Sequence, residues 1–504
     1  MNKTYDTDVL IVGAGPTGTT LAADLLRRDI SVRIVDKAPH SFQGSRAKGI
    51  QPRTQEIFED LGILNEIQNQ STLYPLMGIH LGPLTLPFKM QKKKKITSDV
   101  PYPNTLLIPQ FRTDQILHTL IESHGCNIEY STEVTDYNQD QEGISVTLAT
   151  GEVVYCQYLV GADGGASKVR KLSNFQFVGE THEEDRMILI DGTIDNLSRK
   201  RWHVWPKVQG KQVAACPLPH SDQFQVMIRV QPNDEIDLDH QVLTQQLKSL
   251  IGKTIYDITW TSVFRPNVRL SEKYRNKRVF IAGDAAHVHT PAGAQGLNTG
   301  VQDAYNLGWK IGQVIHGTAD DSLLNTYEAE RQPIAARVLN KSNELYSEIE
   351  NNSVTGLKRG DEERQLSISY YGGPLASKET PQTDTLKSGD RAPDAKFKTS
   401  GENKRLFELF KGTHFTLLSY GKHAITTSKA YDISEQILKH YEINNVENSS
   451  QGIADYSKNI IKNYGLTTDT IILIRPDGYI GSIITEHFEE NLATALKQFG
   501  IISK

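Results

Sequence analysis

The sequence predicts an α/β chain of three units: a parallel-sheet domain, a sheet-rich insertion that interrupts it, and a small α/β domain at the C-terminal end. Three observations carry this. DVLIVGAG, PTGTTLAADLLRRD and SVRIVDK, in residues 8–37, run strand, helix, strand. From about 175 to 270 short strands and turns replace that pattern, which returns at KRVFIAGDAAH. At 504 residues the chain is also long for one core, since domains average roughly 150 residues.

Taken in order, RTQEIFEDLGILNEI has one continuous helical period, and ISVTLATGEVVYCQYLVGADG reads as strands ending in a glycine turn. MILIDGTI, QVAACPL and FQVMIRV are strands of the insertion, with DHQVLTQQLKSLI as its helix. GLNTGVQDAYNLGWKIGQVIHG and LLNTYEAERQPIAARVLNKSNELYSEI are the longest helical patterns. Residues 351–387, rich in Ser, Thr, Gly, Pro and charge, read as a linker. Beyond it, HFTLLSY, TIILIRPDGYIGSII and ENLATALKQFG make the last domain. The expected division is 1–174 with 271–350, 175–270, and 388–504.

With 38% apolar residues, 23% charged residues and a net charge of -5, the composition is that of a soluble chain and argues against nucleic acid as a partner. Lys92 to Lys95 lie among prolines and read as a solvated loop. Cys126, Cys156 and Cys216 are too few and scattered for a disulfide framework, so a reducing, cytoplasmic setting is expected. The opening apolar run is too short for a signal core or a membrane span, and no membrane segment is expected.

GAGPTG places Gly13, Gly15 and Gly18 between a strand and a helix, and Asp36 closes the next strand. Glycine admits the backbone to a pyrophosphate, the free N–H groups of the helix start bind its charge, and the carboxylate accepts ribose hydroxyls. FAD and NAD both satisfy this. A second Asp-Gly turn after a strand, GADGG with Asp163, favours one long cofactor.

GAGPTG with Asp36, Asp163-Gly164 with Arg170, and Gly283-Asp284 occur in the order that resembles class A FAD-dependent aromatic monooxygenases, the phenol and polyketide hydroxylase and rifampicin monooxygenase group. SRAKGIQPRTQE, IPQFRTD and TYEAERQP are weaker matches. The resemblance spans residues 5–340, and more loosely the tail from about 388, which is similar to a thioredoxin-like domain. It implies a Rossmann-type FAD domain holding the cofactor through Gly13, Gly15, Pro16, Thr17, Gly18, Asp36, Lys37, Arg46, Gln110, Val134 beside adenine, Asp163, Asp284 on the ribityl chain, and Pro291. Gly296, Leu297 and Asn298 open a helix whose N–H groups would stabilise negative charge on the reduced ring.

The implied reaction uses NADPH or NADH as a transient reductant and dioxygen to hydroxylate a phenolic, polyketide or antibiotic substrate through a flavin C4a-hydroperoxide. No second GxGxxG exists for the nicotinamide, as expected of a donor that visits the flavin. No catalytic acid or base is nominated. Trp202, Trp205, Met227, Phe264, Arg265, His289 and Pro291 are candidates for the substrate wall, although a core role fits each apolar one equally. His287 reads as structural, matching the family's GDAAH; for His289 a structural and a substrate-side role both stay open. A metal is not expected, since HxH without further ligands is weak evidence. The C-terminal domain has no cysteine, which excludes dithiol chemistry and leaves packing, in a monomer or homodimer. Two rivals remain: a non-catalytic flavin- and drug-binding protein, and a flavin-dependent halogenase, whose Trp-x-Trp signature WHVWP misses in spacing.

Overall fold

The computed structural model describes residues 5–181, 184–290, 293–350, 359–376, 382–383, 385–399, 402–444 and 452–502. Its first sheet runs in the order Arg275–Asn276, Val279–Ile281, Val153–Gly161, Thr7–Val12, Val32–Val35, Ile128–Glu129. Thr7–Val12 pairs in parallel with a strand on each side. Parallel strands are covered on both faces, which is why VLIV is apolar without alternation and Val9, Leu10 and Ile11 are fully buried.

The helix Pro16–Leu26 packs against Gly296–Ile315, and glycines on the second helix set the distance. A Cβ at Gly300 would stand 2.4 Å from Thr17 Oγ1, and one at Gly308 would stand 2.2 Å from Asp24 Oδ2. Asp24 cannot swing away freely, because Arg27 and Arg28 hold it at 2.6 and 3.1 Å. Gly308→Ala is therefore expected to destabilise the chain by about 1–3 kcal/mol through overpacking, read as a lower urea midpoint. An unchanged midpoint would show that the helices can part without cost.

The single helix expected over RTQEIFEDLGILNEI is two, Pro52–Asp60 and Leu64–Asn69. Gly62 takes φ +83 between them, a left-handed turn that ends the first helix.

The inserted sheet runs Ile255–Phe264, Arg186–Ile194, Gln223–Val230, Lys211–Pro217, Arg201–Val208, Leu76–Leu81, Leu84–Phe88. Its last two strands come from the N-terminal part of the chain, outside the 175–270 expected from sequence. Alternation divides its faces. Ile188, Ile190, Val226 and Ile228 meet Leu243, Leu247 and Leu250 of the helix His240–Ile251. Met187, Leu189 and Met227 point the other way, into a cavity.

The C-terminal sheet runs Glu402–Arg405, Lys396–Thr399, Gly452–Ala454, Leu438–Asn444, Phe415–Tyr420, Thr470–Ile474, Ile480–Ile484, with the helix Phe488–Gln498 against it. It docks on the first domain through the turn of RPDGYIG. Arg475, fully buried, ion-pairs with Glu330 at 2.7 Å and Asp477 at 2.5 Å, and Trp309 Nε1 donates to Asp477 at 3.1 Å. Trp309 also packs edge-on against Phe415.

Part of the stretch that reads as a linker is packed. Residues 351–358 lie outside the described residues, but Gln365 donates to Gln295 Oε1 at 2.7 Å, Gln302 donates to Gln365 Oε1 at 2.6 Å, and Arg331 donates to the Tyr370 hydroxyl at 3.0 Å. Burial through amides leaves no hydrophobic period, so composition alone suggests a loose segment. Lys92 to Lys95 are exposed and loop-like, with Lys94 3.0 Å from Asp361. Among the described residues no helix is long and apolar enough to cross a membrane.

Candidate active site

A cavity of about 380 Å³ lies between the C-terminal ends of the first sheet and the inner face of the inserted one. Two helix N-termini open on it, Pro16–Leu26 and Gly296–Ile315, and neither start carries a side-chain cap. Uncapped N–H groups at two helix starts make two sites for negative charge in one cavity. At the first, nothing lies within 4 Å of a Cβ built on Gly15, leaving room for a ligand against the backbone. Asp284 lines the cavity beside the second.

Gly13 and Gly18 shape this turn from behind. Gly13 has φ +106, and a Cβ there would meet the Ala162 carbonyl oxygen at 2.4 Å. Gly18 abuts the Gly13 carbonyl. Asp36 accepts from Ala14 N and Ala38 N, both at 2.8 Å, and so fixes the end of its strand against the glycine turn.

The loop after Asp284 rests on one buried carboxylate. Asp303 Oδ2 accepts from Gly283 N at 3.0 Å and meets His287 Nε2 at 2.6 Å, while Oδ1 takes Arg331 Nε at 2.7 Å. Burial pushes this carboxyl up, but His287 and Arg331 outweigh it and hold the group below its ordinary range. His287 is thus bonded inside the protein, whereas His289 lines the cavity, 6% exposed, with no hydrogen-bond partner on either ring nitrogen among the described residues. Burial, with His287 beside it, brings His289 down to about 3, so it is a neutral imidazole at neutral pH.

Of the residues nominated from sequence, Gly15, Pro16, Thr17, Arg46, Gln110, Asp284, Gly296, Leu297, Met227, Phe264, His289 and Trp202 line the cavity. Lys37 and Val134 do not; Val134 is buried in a hairpin opposite Leu148. Asp163 turns its carboxylate on the next helix start, accepting from Lys168 N at 2.6 Å and Val169 N at 3.2 Å. Asn298 clamps the facing loop, accepting from Gln51 N and donating to Gly49 O, each at 2.8 Å.

Trp205 and Arg265 are corrections to the expected substrate wall. Trp205 is three residues from Trp202 on one strand, hence on the opposite face, where it stacks on His80 at 4.3 Å. Arg265 lies past the end of its strand and is exposed. Pro291 falls outside the described residues.

Sequence reasoning missed Lys48, Tyr74, Met90, Gln225, Arg359 and Glu363, all of which line the cavity. Lys48 had a signal: it stands two residues after Arg46 in an extended stretch, so both side chains share a side. Arg359 and Glu363 had none, lying in the apparent linker. Among the described residues no group of three or more His, Cys, Asp or Glu is placed to hold a metal ion.

The residues fit FAD. The bare turn at Gly15, the two uncapped helix starts and the carboxylate of Asp284 between them suit a pyrophosphate, an electron-rich ring and a polyhydroxyl chain in one length.

A family model described as FAD binding domain matches residues 6–342, and one described as aromatic-ring hydroxylase, C-terminal, matches residues 385–500. A flavin-dependent monooxygenase of Mycobacteroides abscessus is 38% identical over 491 residues, covering 95% of this chain and 97% of its own. The 12-dehydrotetracycline 5-monooxygenase/anhydrotetracycline 6-monooxygenase of Streptomyces rimosus is 31% identical and covers 94% of each chain. Among solved structures, the OxyS anhydrotetracycline hydroxylase from Streptomyces rimosus matches with a TM-score of 0.75 at 29% identity, covering 98% of this chain and 99% of its own.

Proposed function

We propose, from the premise that this chain belongs to the family of FAD-dependent aromatic-ring monooxygenases, that it hydroxylates a phenolic, polyketide-like or antibiotic aromatic compound at the cavity between its two sheets. The observation that carries this is one cavity with two different halves. One half has the charge-binding helix starts and Asp284; the other is walled by Met187, Leu189, Met227, Phe264 and Trp202. Bound FAD, reduced by NADPH or NADH, supplies the activation of dioxygen.

The chain's own residues supply the setting. Gly15, Pro16 and Thr17 would hold the pyrophosphate and Asp284 the ribityl hydroxyls, with Gln110 beside them and Arg46, 5.9 Å from the Phe264 ring centroid, where the two halves meet. The amides of Gly296 and Leu297 would orient toward negative charge on the ring. The sheet face excludes water and lays a planar substrate against methionines and aromatics. His289, neutral and without a hydrogen-bond partner among the described residues, has one N–H to donate and one nitrogen to accept, which suits a substrate hydroxyl or carbonyl oxygen. The division 1–174 with 271–350, 175–270 and 388–504 belongs to this reading, supported by the three largest sheets, with residues 76–88 joining the inserted one.

The test is turnover by the FAD-loaded protein with anhydrotetracycline, rifampicin and 2-naphthol, each with NADPH and with NADH. The expected result is accelerated nicotinamide oxidation with at least one aromatic and a product heavier by one oxygen atom. Nicotinamide consumed only to hydrogen peroxide with all of them would sink the reading.

A further inference from the structure

In the substrate half of the cavity the Arg46 guanidinium lies 5.9 Å from the centroid of the Phe264 ring, and a second charged region sits at one end. There Lys48 Nζ lies 4.9 Å from the centroid of the Trp202 ring and donates to Gln225 Oε1. Tyr74, whose ring centroid is 6.0 Å from that of Trp202, donates its hydroxyl to Lys48 O at 3.1 Å. Arg359 reaches the same end on a backbone anchored by its N–H to Met90 O at 2.9 Å. Tyr74 also interacts electrostatically with Arg359, which lines the same cavity as Lys48.

We propose that Lys48 and Arg359 form a cationic end wall that binds an ionised oxygen of the aromatic substrate, a phenolate, enolate or ring carboxylate, so that substrate charge as well as shape sets specificity. The inference rests on the monooxygenase reading and narrows its substrate class.

Three features of the wall support it. An ammonium has three donors, and among the described residues Gln225 takes one from Lys48. The ring of Trp202 beneath Lys48 favours a cation held over a surface that a planar substrate also stacks on. Of the charged side chains lining this end, two are cations and one, Glu363, is a carboxylate, which lies near Arg359 and accepts from Gly360 N at 2.6 Å. Asp191, on the same sheet face as Leu189 and opposite Gln225, lies within electrostatic reach of Lys48, but its two oxygens are taken by Ser45 N at 2.7 Å and Ser45 Oγ at 2.6 Å. An anionic oxygen seated between Lys48 and Arg359 gains charge-assisted hydrogen bonds in low-dielectric surroundings, whereas a neutral oxygen gains ordinary ones.

The test is a flavin absorbance-difference titration of the FAD-loaded protein with 2-naphthoate and with 2-naphthamide, which share ring and size and differ in charge. The carboxylate is expected to bind at least about tenfold more tightly than the amide, the scale of one charge-assisted contact. Lys48→Met and Arg359→Gln should each collapse that ratio, with FAD content and melting temperature confirming a folded protein. Equal binding of the two probes by the unaltered protein overturns the proposal, as does failure of both to bind at millimolar concentration, or a ratio that survives both substitutions. The titration needs no turnover, so a cationic wall in a protein that oxygenates nothing would be read separately from its absence.

Discussion

Replacing Arg475 with methionine is expected to cost about 3–5 kcal/mol of stability. Arg475 is fully buried and bonds both oxygens of Glu330, at 2.7 and 3.0 Å, and both of Asp477, at 2.9 and 2.5 Å. Methionine fills most of the volume but leaves two carboxylates facing each other away from water. Glu330 would retain Lys310 and Asn306, both at 2.8 Å, while Asp477 would keep Trp309 at 3.1 Å and Asn306 at 3.4 Å as donors. Because these groups come from the helix Gly296–Ile315, the helix Asn325–Glu350 and the C-terminal sheet, the loss should loosen the docking of the last domain.

The same cluster gives a pH signature. Burial raises the Glu330 carboxyl, but Arg475 and then Lys310 outweigh it and bring it from 4.5 to about 2. A depressed carboxyl contributes stability that is complete above its unfolded value and is lost as pH falls through the folded one, here between about pH 4.5 and 2. Removing Arg475 should therefore move acid unfolding to higher pH as well as lowering the urea midpoint. Arg475→Lys should restore little, since an ammonium cannot make the paired bonds of a guanidinium. If Arg475→Met unfolds at the same urea concentration and the same pH as the unaltered chain, the cluster does not hold the domains together.

The sequence made the periodic parts of the fold legible. VLIV could only be a strand buried on both faces, and Gly13, Gly15 and Gly18 had meaning because each stands where backbone approaches backbone or ligand. The insertion was visible as a change of period, but its sheet was not complete in sequence, because the hairpin Leu76–Phe88 joins it from a distant stretch. In the site, residues beside the glycine motifs were found, while Arg359 and Glu363 were not. They hang on a segment fixed by Gln295, Gln302 and Arg331, and amide contacts leave no pattern along a chain. Trp205 shows the opposite failure: its residue type suited a substrate wall, but strand alternation from Trp202 sets it on the outer face.

Asp303→Asn should cost about as much stability and, in addition, the cofactor. An amide at this position keeps the shape of the carboxylate but gives Arg331, fully buried, no counter-charge, and a buried cation stripped of its partner costs about 3–5 kcal/mol. The damage is directed at the site. Gly283 N and His287 Nε2 both depend on Asp303 Oδ2, and they bracket Asp284, the carboxylate offered to the ribityl chain. His287 is also tied through the strand pair His287–Val288 with Asn267–Ser271, so a displaced His287 would carry His289 with it on the cavity wall. The expected outcome is a rise of at least about tenfold in the FAD dissociation constant, equivalent to roughly 1.4 kcal/mol, together with a lower melting temperature. Ultrafiltration of the purified variant, with released flavin measured by fluorescence, reads the first; calorimetry reads the second. A charge-conserving control, Asp303→Glu, should keep Arg331 paired and lose flavin through the shifted loop alone, separating the electrostatic part from the geometric one. Should Asp303→Asn retain flavin as tightly as the unaltered protein, the loop from Gly283 to His289 would be held by something other than this carboxylate, and the place assigned to Asp284 would fall with it.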